Sequence, residues 1–346
     1  MAGFLACAFA VFLFLHDQLE GEDLPVIQEF TNAYRVGMAS LESISTQAID
    51  HFYEKAPSER LSLLRENLPG SSLNSSVNNH LTPLHIASSW DRLAIERKLE
   101  AAGFKGSKKK GVQRILDYIE KHQRLALQDM RSTNILASIK LAQAILESGA
   151  GRSKLAKATN NHFGIKAVAG SSARKKIREG HYGELQDNEF IHQSPAIGAY
   201  RFHDDHRYDR FEVYETVGDS YLRHNQLLTR PCQPGKKGCY SWIWATYRVG
   251  DDVDITEPAL RYQRSSGIAP EDFFNGRTVV PYYAAAAAAL KMTGYATSPT
   301  YHKKLFYLIE TYELWRFDFD LIAAVERSKA PSSSGISPSE ETRQDK

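Results

Sequence analysis

"ASIKLAQAILESGAGRSKLAKATNNHFGIK", Ala137 to Lys166, decides how the rest of the chain is read. Its first half has the spacing of a buried helix. Ile135, Ile139, Ala142 and Leu146 form an apolar stripe, and Ile145 lies beside it. The run ends on a carboxylate, Glu147, followed by Ser148-Gly149-Ala150-Gly151, which stops a helix and lets another group come close. A carboxyl one residue past a core position is partly desolvated. Desolvation penalises its charged form and raises its pKa, as a general acid working near neutrality requires. A surface glutamate at a helix end, paired with Arg152, fits the same letters, so the acid has to be judged with its surroundings.

The chain has 346 residues and a net charge of +2, enough for one large domain or two modest ones and no reason to expect a nucleic-acid partner. Phe4 to Leu15 is uncharged and apolar. As a helix it would reach about 18 Å, short of a bilayer's roughly 30 Å hydrocarbon core, so it reads as an export signal or membrane anchor within 1–24. A buried first helix is the plainer alternative. Cys232 and Cys239 bracket "CQPGKKGC", a tight Pro/Gly turn. They are a disulfide loop if the protein is exported, and two free thiols near a surface turn otherwise.

Residues 25–66 read as helical, and 68–83 as a Pro/Gly/Ser/Asn linker. "TPLHIASSWDRLAIERKLEAAG" (82–103) has the letters of one ankyrin repeat. A single repeat cannot bury its own face, so the stretch reads as ordinary helical packing. The basic "GFKGSKKKG" (103–111) reads as a hinge, with Val112, Ile115, Leu116 and Ile119 opening a strong helix after it. "YYAAAAAALKMTG" (282–294) is a small-residue helix capped by Gly294, made for close approach to another helix, and 301–318 reads as a final aromatic-rich helix. The polar tail, 327–346, is expected to be disordered.

Beyond these patterns, the opening stretch resembles glycoside hydrolase family 73, the glucosaminidase branch of the lysozyme-like superfamily, whose members cut the β-1,4 glycan of peptidoglycan. Gln143, Ala144, Glu147, Ser148, Gly149, Gly151, Ser153, Leu155, Ala156, Asn160, Asn161, Phe163, Gly164, Ile165 and Lys166 carry the resemblance. It resumes at "FEVYETVGDSYLRH" (211–224) and closes with "GYATSPTYHKKLFYLIETYELWRFD" (294–318). The resemblance implies that Glu147 is the proton donor, that Asn160, Asn161 and Phe163 form the turn closing a glycan groove, and that Tyr295 lines the cleft near the acid. Two departures stand out: Ala150 where the family often has Trp, and Ser298 where it has Asp.

Glycosidases generally need a second carboxylate. The resemblance implies one from a hairpin ahead of the "FEVY" block, where Asp204 and Asp205 lie, with Glu184 and Glu189 as rivals. "HDDH" (203–206) does not read as a metal site, because a strand sends consecutive residues to opposite faces. Trp242 and Trp244 alternate in "YSWIWATY"; Trp242 is a candidate sugar platform, core packing being the commoner use of Trp.

The expected fold is α+β and mainly helical: a lysozyme-like domain at 111–326 with a small β lobe, preceded by a helical N-terminal region at 25–110. The expected function is a peptidoglycan hydrolase of the cell envelope, periplasmic or secreted, most simply an endo-β-N-acetylglucosaminidase. Its partners would be glycan strands and, through 1–24, a membrane; it needs no cofactor or metal. A muramidase or lytic transglycosylase is the enzyme alternative, and an inactive glycan-binding envelope protein the other.

Overall fold

The computed structural model describes residues 86–329 except His203 and Asp205. The expected signal or anchor, the helices within 25–66 and the tail beyond 329 lie outside the described residues, as does Asp205. Helix α1, Arg92–Ala101, starts at Asp91, whose carboxylate accepts from the Ala94 N–H and so satisfies one of the donors that a helix start leaves open. Helix α2, Ser107–Thr133, buries Val112, Leu116 and Ile119 as the spacing predicts. It begins inside the stretch read as a hinge, so the expected boundary at 111 falls within a helix. The chain ahead of it is fastened to the C-terminal end. The Trp90 indole donates to the Tyr312 carbonyl at 2.8 Å, the Ser89 N–H donates to Asp320 at 2.8 Å, and Lys98 pairs with Glu313 at 2.9 Å.

Helix α3, Ala137–Ser148, follows a left-handed Asn134 and a buried Ile135, which lies in the turn rather than in the helix. Ten of its twelve residues are buried, so it is covered on all sides rather than laid on a surface. After the short α4, Lys154–Thr159, comes the β lobe. Strands β1 (Val168–Ala169) and β2 (Phe190–Ile191) pair antiparallel, as do β3 (Gly198–Arg201) and β4 (Arg210–Val213). Helix α5, Ser171–Glu179, lies between β1 and β2. Only Ala173 of it is buried, so little apolar pattern marks it in the sequence. Ala167, Ala173, Leu185 and Phe190 form a small core for the lobe, separate from the main one.

Helix α6, Val217–Thr229, carries a capping box at Thr216 and Asp219. Then come α7 (Ile243–Thr246), β5 (Asp252–Asp254), α8 (Thr256–Ser266), α9 (Pro270–Phe273) and β6 (Val279–Pro281). Strands β5 and β6 form a third antiparallel pair that sequence pattern did not show. Helix α10, Tyr282–Met292, has Ala284 to Ala289 fully buried and packs against α3 and against α11, Tyr301–Thr311. The small side chains allow that approach. The single helix expected over 301–318 is broken: Glu313 takes a left-handed backbone (φ 51°), and α12 runs Trp315–Lys329. The break lets α12 bring Asp318 to the start of α3. The buried Asp318 carboxylate accepts from the Ser138 N–H (2.9 Å), the Ser138 hydroxyl (2.5 Å) and the Tyr282 hydroxyl (2.9 Å).

The alanine run makes a simple prediction. Ala286→Leu overfills the space beside α10 and should lower stability by about 1–3 kcal/mol, read as a lower urea midpoint. A wild-type midpoint would contradict this account of the packing.

Candidate active site

The turn after α3 sets the place of the acid. Gly149, Ala150 and Gly151 all have left-handed backbones (φ 58°, 54° and 73°). The Ser148 hydroxyl donates to the Ala144 carbonyl and accepts from the Gly151 N–H. A Cβ on Gly151 would stand 3.2 Å from the Tyr118 ring, so this position needs glycine for space as well as for backbone angle. The sharp stop leaves Glu147 at the edge of the core, partly exposed as a residue but with its carboxyl enclosed. Burial pushes the Glu147 carboxyl up to about 7, opposed by a hydrogen bond from the Tyr301 hydroxyl and by the positive charge of Lys304.

Tyr301 in turn accepts from the Gln143 side-chain amide at 3.1 Å. Tyr295 is buried beside it, the two rings stacked with centroids 5.5 Å apart. Burial first, and the charge of Glu147 second, raise the Tyr295 phenol well above its ordinary range, so it remains a neutral hydroxyl. The structure therefore brings Glu147 and Tyr295 together and adds Gln143 and Tyr301. Lys140, Gln143 and Glu147 follow one another at i, i+3 and i+7, a polar line on a buried helix that could have flagged them from sequence.

The structure places Asn160, Asn161 and Phe163 in the turn between α4 and the β lobe, where each has partners inside the protein. Asn160 donates to the Tyr214 and Glu215 carbonyls at 3.0 and 2.9 Å. Asn161 donates to the Ile165 and Glu212 carbonyls, both at 2.9 Å, and accepts from the Ile165 N–H. Both amide groups therefore have their hydrogens engaged in stitching the turn to β4. Phe163 is buried and stacks on His224 at 3.9 Å.

Trp242 is half-buried, its indole donating to the Cys239 carbonyl at 3.0 Å, and Trp244 is a core residue donating to Leu228. Cys232 and Cys239 are joined as a disulfide, Cα atoms 5.5 Å apart. On the lobe, Asp204 pairs with Lys166 at 2.8 Å, and Lys166 also pairs with Asp209 at 3.0 Å. Glu189 is tied within the lobe: the Gln186 N–H, Ser172 and Lys176 hold its carboxylate down to about 2. Glu184 is exposed in a single 3-10 turn.

A carboxylic acid that keeps its proton near neutrality is what glycoside hydrolases use to expel the leaving oxygen of a sugar, and this chain falls in that class by descent. Residues 123–314 match the Glucosaminidase family model, described as mannosyl-glycoprotein endo-beta-N-acetylglucosaminidase, and the chain belongs to that family. Over 186 residues, 54% of this chain and 47% of the relative, it is 28% identical to the exo-glucosaminidase LytG of Bacillus subtilis (strain 168). The chain thus spans about half the length of that curated relative. Solved structures align only distantly. An N-acetylmuramoyl-L-alanine amidase from Staphylococcus aureus gives a TM-score of 0.32 at 20% identity, over 68% of this chain and 52% of that one. The catalytic domain of the autolysin Auto from Listeria monocytogenes gives 0.33 at 22%, over 65% and 97%. Likeness at that level bears on neither the site nor the substrate.

The raised Glu147 has a consequence for stability. Its folded pKa of about 7 lies above the ordinary 4.5, so its contribution is present below 4.5 and lost as pH rises through 7. Glu147→Gln cannot ionise. It should be more stable than wild type at pH 8 by on the order of 2 kcal/mol, with the gap closing at pH 4. Melting curves at the two pH values check this; a gap independent of pH would count against it.

Proposed function

We propose that the protein is a peptidoglycan hydrolase that cuts β-1,4 glycosidic bonds as an endo-β-N-acetylglucosaminidase, with Glu147 as general acid. The observation that carries this reading is the enclosed Glu147 carboxyl, raised to about 7 at the end of α3 beside Tyr295 and Tyr301, in a chain of the glucosaminidase family. The proton passes from Glu147 to the glycosidic oxygen as the C1–O bond breaks, leaving positive charge on the sugar ring. Tyr295, a neutral hydroxyl at the acid's side, orients the sugar or stabilises the transition state.

Asp204 and Asp205 are the lobe acids proposed to activate water. Asp204 starts from an ion pair with Lys166, so it would have to exchange that partner or share it. Glu189 is the weaker rival, because its three partners are all within the lobe. Participation by the substrate's own N-acetyl group is the route that needs neither aspartate. Within the lobe, the small separate core supports a proposal that it shifts to close over a bound glycan.

Extracytoplasmic action follows from a peptidoglycan substrate, and 1–24 would serve as export signal or anchor. Among the described residues no helix is long and apolar enough to cross a membrane. The curated relative is named an exo-enzyme and the family description an endo-enzyme, so product size matters as much as bond choice.

Purified peptidoglycan digested by the protein and analysed by mass spectrometry should yield internal fragments with new N-acetylglucosamine reducing ends. New muramic acid ends or anhydro sugars would replace this reading with a muramidase or transglycosylase, single released sugars would make it an exo-enzyme, and no products would leave a binding protein. Glu147→Gln should lose about 10²–10⁴-fold in rate. Wild-type kcat/KM should fall as pH rises through about 7, where Glu147 gives up its proton. A Gln variant within about tenfold of wild type would remove Glu147 from the role.

A further inference from the structure

Helix α3 carries a second ionisable group into the core. Lys140 is fully buried, and burying an ammonium is costly unless specific partners compensate it. Its Nζ is 2.8 Å from His224 Nδ1 and 5.2 Å from the centre of the Phe163 ring. Asp129 Oδ2 is 3.9 Å away, close enough for charge attraction but too far for a hydrogen bond. His224 is itself fully buried and held flat against Phe163, with its Nε2 2.8 Å from the Tyr295 hydroxyl. Tyr295 meets Tyr301, and Tyr301 hydrogen-bonds Glu147. A continuous polar chain thus runs from the interior to the acid, through residues on α3, α6 and α11 and in the turn after α10.

The chain has a sense of direction. An ammonium has three donors and no acceptor. A charged Lys140 therefore donates to His224 Nδ1, and a neutral His224 must then carry its proton on Nε2 and donate it to the Tyr295 oxygen. The one proton of Tyr295 is left to point away from His224, toward Tyr301 and the acid. We propose that Lys140 and His224 are positioning residues that fix the tautomer of His224 and so make Tyr295 a hydrogen-bond donor on the side of Glu147. This rests on the glycosidase reading of Glu147 and Tyr295. With the opposite tautomer, Tyr295 would donate to Nε2, and its support for the charge that develops on Glu147 in the transition state would be lost.

The electrostatics agree with this sense. Burial, with the charges of Lys140 and Arg223, drives His224 well below its usual range, so it is neutral with two distinct nitrogens. Burial lowers Lys140 to about 7 while Asp129 opposes it, so the ammonium predominates below neutrality. Arg223 beside His224, Tyr240 against Tyr295 and Lys304 near Glu147 are the other titratable groups facing the chain.

Three measurements test this. Long-range ¹⁵N NMR at pH 6 should find wild-type His224 protonated on Nε2, and should find that preference weakened in Lys140→Met. Lys140→Met and His224→Phe should lose at least about tenfold in kcat with KM changed by less than about twofold. His224→Gln should retain several-fold more activity than His224→Phe, because an amide can still accept from Lys140 and donate to Tyr295. A purely packing role predicts the reverse order, since Phe suits a buried stack better than Gln. Wild-type protonation on Nδ1, wild-type kcat in Lys140→Met, or Phe outperforming Gln would each overturn the proposal. If a variant does not fold, the wild-type tautomer decides. If wild-type protein cuts no glycan, the glycosidase reading fails while the tautomer still decides whether Lys140 directs the chain.

Discussion

Burial of α3 on every side is the constraint from which the rest of the structure follows. Ten of its twelve residues are shut away from water, and several are polar. Each polar group must therefore find a partner inside the protein. Ser138 finds Asp318, Lys140 finds His224, the Gln143 nitrogen finds Tyr301 while its Oε1 is left without a hydrogen bond among the described residues, and Ser148 finds the Ala144 carbonyl and the Gly151 N–H. These partners come from several distant parts of the chain: α12 reaches Ser138 after breaking away from α11 at Glu313, and the alanines of α10 let that helix pack close beside α3.

The same burial makes the chemistry. Glu147 lies where the helix leaves the core, so its carboxyl is desolvated although the residue remains partly reachable. Two buried tyrosines are its near neighbours, and the positive charge of Lys304 acts on it less than burial does. An arginine there would pull the acid down toward its usual range and leave it without a proton at neutral pH. A neutral hydroxyl stabilises the ionised form less, which leaves the proton in place near neutrality, as the proposed general-acid role requires.

Much of this was legible in the sequence because it is local. The apolar stripe ending at Glu147, the glycines that follow and the alanine run of α10 are each set by neighbours within a few turns. The partners of α3 were not legible, since His224 and Asp318 lie 84 and 180 residues from the side chains they meet. The partners of Asn160 and Asn161 were not legible either, since only the fold reveals that backbone carbonyls take their amide hydrogens. Helix α5 and the β5–β6 pair escaped for a different reason. The helix buries only Ala173, and the strands are three residues each, too short for periodicity to register.

The central claim is that enclosure in the fold, before any substrate binds, holds the Glu147 proton near neutrality. A ¹³C NMR titration of the glutamate side-chain carboxyls, with Glu147 assigned by its absence in the Gln variant, tests this directly. The account predicts a midpoint close to 7, against an ordinary 4.5. A midpoint at the ordinary value in the folded protein would contradict it.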